Sequence, residues 1–520
     1  MQYPFSFGII NKKPCGGAKM VFDISKFSYN IICEQAPTDT LVETVVNDNT
    51  LDLFVTATKD KLKFIELRWD FESCPDLYVL GDVWERSYGE LEFVKLKNTT
   101  RYFPWYFIAT DKEKCWCFGV KTQPNAFVSF RYTETGITAL VDCRNGGNGV
   151  HLNGRKLQLC TFVYAQFDSA NLTESLHTYC KMLCNNPILP TEPVYGGNNW
   201  YYAYGKSSYE QIASDARFQA LLAEGIENRP FQVIDDGWQI NPCSGPWIVN
   251  DKFRDMKQLA DEIRASGARP GIWIRLLETK DEKMTPDMRI HRSGKRQYLD
   301  PTIPAVQEYI KADIEMIKNW GYELLKHDFT TADLFGNYGN SLNETVTKVD
   351  DWHFYDQTKT NAEITLDFYR LIKETAGNMY LIGCNTISHL CAGLVELNRI
   401  GDDTSGREWA RTRKMGINTL AFRLAQNEAF YMCDADCVGI LDNNIPWELN
   451  KQFLHLLSYS NTPLFVSCTD QVTEEQKKDL AEAYNVFQQK HTIRPLDIYE
   501  NKTPSQWEID GETVTYNWEE

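Results

Sequence analysis

At 520 residues the chain is too long for one ordinary domain, and with 43% hydrophobic and 24% charged residues it has the composition of a soluble globular protein. A formal net charge of −17 repels phosphate backbones, and no Lys/Arg stripe interleaved with aromatics offsets it, which excludes nucleic acid as a partner. No segment reaches the ~18 uninterrupted apolar residues of a membrane span, and the amino terminus has no basic-then-apolar signal pattern, so a cytoplasmic protein is expected unless a leader once preceded Met1.

From residue 1 to 190, short alternating segments such as 51–58 and 61–68 are separated by turn residues, which predicts an antiparallel β-sandwich domain. Asn153-Gly154, set between 150–152 and 156–163, predicts a two-residue hairpin. After Pro193 the pattern changes to short apolar runs alternating with amphipathic helices. One helix is expected from a capping box at Ser207-Ser-Tyr-Glu210 to Gly225, and another carries Met256, Leu259 and Ile263 up to Gly267. Val306, Ile310, Ile314 and Ile317 mark a third that stops at Gly321, and Ile364, Phe368 and Leu371 a fourth before Gly377. The strands between are expected at 195–202, 231–234, 270–274, 323–326, 379–382, 394–400, 430–433 and 464–468. Eight such units over 191–470 predict a central (β/α)8 barrel of the TIM type. The remainder, 471–520, opens with a capping box at Thr473-Glu-Glu-Gln476 and a helix, and ends in a vestigial β appendage.

Functional groups of such barrels sit at the carboxyl ends of the strands, where the βα loops build the concave face. Here those ends carry Asp235-Asp236-Gly-Trp238, Trp273-Ile-Arg275, Lys326-His-Asp328, Gly383-Cys384-Asn385, Arg399-Ile-Gly-Asp402-Asp403 and Asp434-Ala-Asp436. Charges converging on one mouth cost stability unless a polar ligand or a reaction makes use of them. Lys326 and Asp328 lie two apart on one strand and face the same way, with His327 turned outward, so the ammonium keeps Asp328 ionised as a glycosidase nucleophile requires. The adjacent Asp402 and Asp403 raise each other's proton affinity and suit the acid role, although Asp403 alone reads better as a cap or hydroxyl-binding group. Arg399, Asp235 and Asp236 suit sugar hydroxyls, and Trp200 and Trp238 an apolar wall for one sugar face. Of eight histidines only His327 and His389 fall near the mouth, which disfavours a metal-dependent hydrolase.

These residues resemble glycoside hydrolase family 36 and its clan relatives, the lysosomal-type α-galactosidases and the raffinose synthases. Asn199-Trp-Tyr-Tyr-Ala-Tyr204, Ile234-Asp-Asp-Gly-Trp238, Gly271-Ile-Trp-Ile274, Leu325-Lys-His-Asp328 and Arg399-Ile-Gly-Asp-Asp403 stand in the family's order and spacing. Cys433-Asp-Ala-Asp-Cys437 and Thr462-Pro-Leu-Phe-Val-Ser467 are similar to its later strands, and Gly81-Asp-Val-Trp-Glu-Arg-Ser-Tyr-Gly89 resembles part of its β-supersandwich. The resemblance implies a retaining exo-α-galactosidase that removes terminal α-linked galactose from oligosaccharides, with Asp328 as nucleophile and Asp402 as acid/base. It implies substrate contacts from Asp235, Asp236, Trp200, Trp238, Trp273, Arg275, Lys326, Cys384, Asn385, Arg399 and Asp403, and neither metal nor organic cofactor. Two departures stand out: strand three ends in Arg275-Leu-Leu-Glu278 where relatives often carry a Glu-Pro-Glu-like ending, and Cys384-Asn-Thr replaces a Gly-rich turn. An α-N-acetylgalactosaminidase, a raffinose-synthase-type galactosyl transferase and an inactive sugar-binding homologue are the alternatives. The expected partner is a small α-galactoside oligosaccharide, with homo-oligomerisation left open.

Overall fold

The computed structural model describes residues 22–292, 297–441 and 444–519. Its amino-terminal part is two antiparallel sheets. One runs in the order Ser28–Cys33, Lys61–Asp70, Gly136–Asp142, Phe127–Thr133, Phe103–Pro104. The other runs Leu41–Asn47, Thr50–Thr56, Leu157–Asp168, Lys114–Val120, Tyr106–Thr110, Tyr78–Gly81, Val94–Lys95. Alternate residues of each, such as Leu51, Leu53 and Val55 or Ile65, Leu67 and Trp69, are buried in a shared core, as the period of two in the sequence requires.

The hairpin expected at Asn153-Gly154 does not form. Both residues adopt the left-handed backbone of a tight turn, at φ 53° and 80°. Yet Val150–His151 pairs with Lys61–Asp70, while Leu157–Asp168 pairs with Thr50–Thr56 and Lys114–Val120 in the other sheet. The turn therefore carries the chain from one layer to the other. Nor is the region wholly β: Leu172–Leu183 is an α-helix, capped by the Asn171 side chain.

The second part is a curled parallel sheet with strands at Tyr195–Asn198, Phe231–Ile234, Arg269–Ile274, Leu324–His327, Tyr380–Gly383, Leu397–Arg399, Met432–Asp434, Cys437–Gly439 and Leu464–Ser467. Met432–Asp434 pairs with the sixth strand and Cys437–Gly439 with the last, so two successive pieces of one run of chain form the two edges of the sheet. Asp436, at φ 70°, makes the break between them. Helices Tyr209–Leu222, Met256–Ala265, Pro304–Trp320, Asn361–Ala376 and Trp447–Tyr459 connect the strands. Gly321 ends the third of these at φ 91°, as its place after the last buried Ile predicts. Two local expectations shift. Strand one stops at Asn198 and a short helix, Trp200–Ala203, takes over; the first long helix is capped by Ser208, not Ser207.

Inside the curl, apolar side chains from several strands form a core of their own, including Phe231, Val233, Leu324, Ile382, Leu397 and Phe465. Because strand side chains alternate, the next inward position after each of four of these is polar: Asp235 follows Val233, Lys326 follows Leu324, Cys384 follows Ile382 and Arg399 follows Leu397. A dry barrel interior is thus capped by a polar layer at its carboxyl end. The capping box at Thr473 forms as expected and starts helix Glu474–Phe487, after which Ile493–Pro495, Gln506–Ile509 and Glu512–Thr515 make a three-stranded antiparallel sheet. Among the described residues no helix is long and apolar enough to cross a membrane.

Candidate active site

Strand four delivers Lys326 and Asp328 to the mouth. The Lys326 ammonium lies 2.7 Å from Asp235 Oδ2. Burial favours the neutral amine, but Asp235 and its neighbours outweigh it and hold Lys326 well above its ordinary pKa. Asp328 is partly buried and fully engaged. Asn385 Nδ2 donates to Oδ1 at 2.5 Å, the Phe329 backbone N–H to the same atom at 2.7 Å, and Trp273 Nε1 to Oδ2 at 3.0 Å. Burial pushes its pKa up, yet Lys326, Arg86 and the two side-chain donors bring it below the usual carboxylate value. Phe329 and Asn385, which flank this carboxylate, both have positive φ, 62° and 57°. Strained backbone of this kind persists where the surroundings enforce it, and here it aims two donors at one anion.

Strand six delivers the acid pair. Asp402 is clamped on both oxygens: Arg86 Nη2 reaches Oδ1 at 2.6 Å and Arg411 Nη2 reaches Oδ2 at 2.5 Å. Asp403 meets Arg399 at 3.1 Å and Arg86 at 3.4 Å through Oδ1 alone, and its side chain is 38% exposed. Burial raises the Asp403 pKa, but Arg399, Arg86 and Lys326 pull it below the usual range. Arg399 is itself tethered to Asp436 at 2.8 Å, and the Tyr201 hydroxyl donates to that same Asp436.

The remaining predicted residues divide into two groups. Asp235 and Asp236 sit at the mouth, buried and linked by hydrogen bonds. Asn198 donates to Asp235 at 2.9 Å, and Asp236 accepts from Gln239 at 2.5 Å and from the Cys243 thiol at 2.9 Å. Burial and the adjoining Asp236 push that thiol up to about 12, so it remains a proton donor. Trp200 is half-buried beside Tyr204, and Cys384 lies 3.8 Å from Arg86 Nη1. Trp238 and Arg275 are not brought to the mouth surface. Trp238 is fully buried against Trp247 and Trp320, with its indole N–H bonded to the Trp273 carbonyl, because the hairpin Gln239–Asn241 and Ser244–Val249 folds over it. Arg275 is consumed by a bidentate bond to Asp333 and packs on Phe329. His327 and His389 are buried and driven neutral, and among the described residues no group of three His, Cys, Asp or Glu is placed to hold a metal.

The fold is that of the family 36 α-galactosidases. A Thermus thermophilus α-galactosidase solved with p-nitrophenyl α-D-galactopyranoside superposes at a TM-score of 0.63 with 17% identity, covering 89% of this chain and 97% of that one. The α-galactosidase AgaA of Geobacillus stearothermophilus gives 0.62 with 16% identity over 92% and 78%, and AgaB of the same organism 0.57 with 15% over 89% and 73%. No family model and no curated protein matches the sequence.

Arg86 and Arg411 escape sequence reasoning. Arg86 comes from the sandwich, on the loop after Tyr78–Gly81, and is strung onto strand six: Ser87 N–H donates to the Ile400 carbonyl at 2.8 Å, and Asp402 N–H to the Ser87 carbonyl at 2.9 Å. Arg423 fastens the same loop, bonding Asp82 at 2.8 Å, the Glu85 carbonyl at 2.7 Å and the Ile400 carbonyl at 2.9 Å. The only signal in the chain was the Gly81 to Gly89 stretch, which carries the right residue without saying what it touches.

Proposed function

We propose that the protein is a retaining α-galactosidase acting on terminal α-linked galactose of oligosaccharides. The observation that carries this reading is one carboxylate held as an anion by Lys326, Trp273 and Asn385, sharing a mouth with a second carboxylate that keeps an oxygen free. Support comes from the shared fold, since relatives of that fold have been solved with p-nitrophenyl α-D-galactopyranoside, stachyose and raffinose.

In this reading Asp328 attacks the anomeric carbon while the glycosidic C–O bond breaks, leaving a galactosyl ester. The leaving oxygen takes a proton from the acid. We assign that proton to Asp403 and a supporting role to Asp402, reversing the expectation from the resemblance. Both oxygens of Asp402 face guanidinium groups, whereas Asp403 Oδ2 accepts no hydrogen bond among the described residues and the Asp403 side chain is 38% exposed. Asp403 then takes a proton from water, which attacks the anomeric carbon and frees Asp328. Asp235, Asp236 and the free N–H groups of Lys326 face the sugar hydroxyls.

The test is hydrolysis across a panel of p-nitrophenyl α- and β-glycosides, including the α-galactoside and α-N-acetylgalactosaminide, with Asp328→Gly assayed in azide. Azide filling the vacated place should give a β-galactosyl azide from the α-substrate, since one displacement inverts the centre. An α-azide, or unchanged hydrolysis by Asp328→Gly, rules the assignment out.

A further inference from the structure

Glu85 is a third carboxyl beside the acid pair, one for which double displacement has no use. It is fully buried, and neither side-chain oxygen accepts a hydrogen bond. Thr331 lies beside it, but its single hydroxyl proton goes to the Asn385 carbonyl at 2.7 Å. Glu85 is nonetheless held in place, since its carbonyl accepts from Arg423 at 2.7 Å and from Ser388 Oγ at 3.2 Å. Its Oε1 stands 3.6 Å from Nε of Arg86, the same guanidinium whose Nη atoms grip Asp402 and Asp403. One planar cation thus has a carboxyl on one edge and the acid pair on the other. A buried carboxyl without donors weakens the fold, and a neutral side chain of equal size would fill the space without that cost.

We propose that Glu85 is a positioning residue for the catalytic acid: uncharged, it leaves the Arg86 guanidinium to Asp402 and Asp403, and on ionising it draws that guanidinium away from them. The inference rests on the reading of Asp402 and Asp403 as the acid pair. The ionisable groups around Glu85 come from several elements: Arg86 and Tyr88 on its own loop, Asp328 after strand four, Asp402 after strand six and Tyr369 on helix Asn361–Ala376. Burial, opposed by Arg86 and assisted by Asp328 and Asp402, brings Glu85 up to about 7. Its ionisation then falls on the alkaline limb of the activity profile, and it removes the clamp rather than the acid itself.

Two measurements on the full chain decide it, each with wild type, Glu85→Gln and the apolar Glu85→Met, which stands in should the first fail to fold. Because the folded-state pKa is raised, the wild type is penalised once the unfolded carboxyl ionises. The melting-temperature advantage of Glu85→Gln should therefore grow from its ordinary value of 4.5 up to about 7 and then level off. In log kcat/KM for raffinose, whose leaving group needs the acid, the wild-type alkaline limb should depart from a slope of about −1 at a second inflection near pH 7, while both variants keep about −1. A melting-temperature difference that is constant with pH, or equal slopes in active enzymes, overturns this proposal alone. A wild type without any α-galactosidase activity overturns the functional reading and takes this proposal with it.

Discussion

At the residue scale the two members of the acid pair have unlike surroundings, and the difference is measurable. Asp403→Asn should reduce kcat/KM on raffinose by on the order of 10² to 10⁴, the contribution of a general acid, and much less on p-nitrophenyl α-D-galactopyranoside, whose leaving group needs little proton assistance. Asp402→Asn breaks a double guanidinium clamp instead, so its loss should be similar on both substrates. A leaving-group dependence that follows Asp402 would reverse the assignment. Trp238 makes the opposite kind of case. Buried beneath the hairpin that follows strand two, it is a core residue, and Trp238→Ala should cost about 3 to 5 kcal/mol in urea unfolding. Its place after Asp235-Asp236 suggested a sugar platform, because sequence proximity to the mouth does not say which way an indole ring turns.

Among the elements, what could be read in advance was what depends on local periodicity. Strand two falls at 231–234 in both the sequence and the structure, since an apolar run bounded by Pro230 and Asp235 leaves no alternative register. Helix Pro304–Trp320 is likewise fixed by its Ile spacing and Gly321. Asn153-Gly154 shows where such reading stops. Its turn chemistry dictates that the chain reverses, but which sheet receives the returning strand is decided by contacts far along the chain. Arg86 is hidden for the same reason: it meets Asp402 and Asp403 across more than three hundred residues, and nothing local marks an arginine on a β-loop as part of a barrel mouth. Its geometry yields a prediction at this scale. Arg86→Lys keeps the charge but cannot span Asp402 and Asp403 with one planar group, so it should recover only a small part of the kcat/KM lost in Arg86→Ala.

For the whole molecule, which carries a net charge of −17, the cations Lys326, Arg86 and Arg399 set among the mouth carboxylates govern the pH response. In the proposed mechanism Asp328 must be ionised to attack, and its lowered pKa keeps it so well into acid. Asp403 must be protonated to donate, and its lowered pKa means that the proton is lost early as pH rises. Both limbs move the same way, so kcat/KM should peak below about pH 5 and fall about tenfold per unit toward neutrality. A peak near pH 8 would contradict the charge state assigned to Asp403.

The stitch between Ser87 and strand six has a further consequence. An arginine lent by one layer of the molecule to another cannot keep its place once its lender melts, so on the proposed mechanism the barrel should not turn over without the sheets in front of it. In a urea titration, loss of turnover should coincide with loss of native fluorescence from the sandwich tryptophans and should not lag until the barrel helices unwind. On the proposed mechanism the amino-terminal sheets are thereby as much a part of the catalyst as the mouth itself.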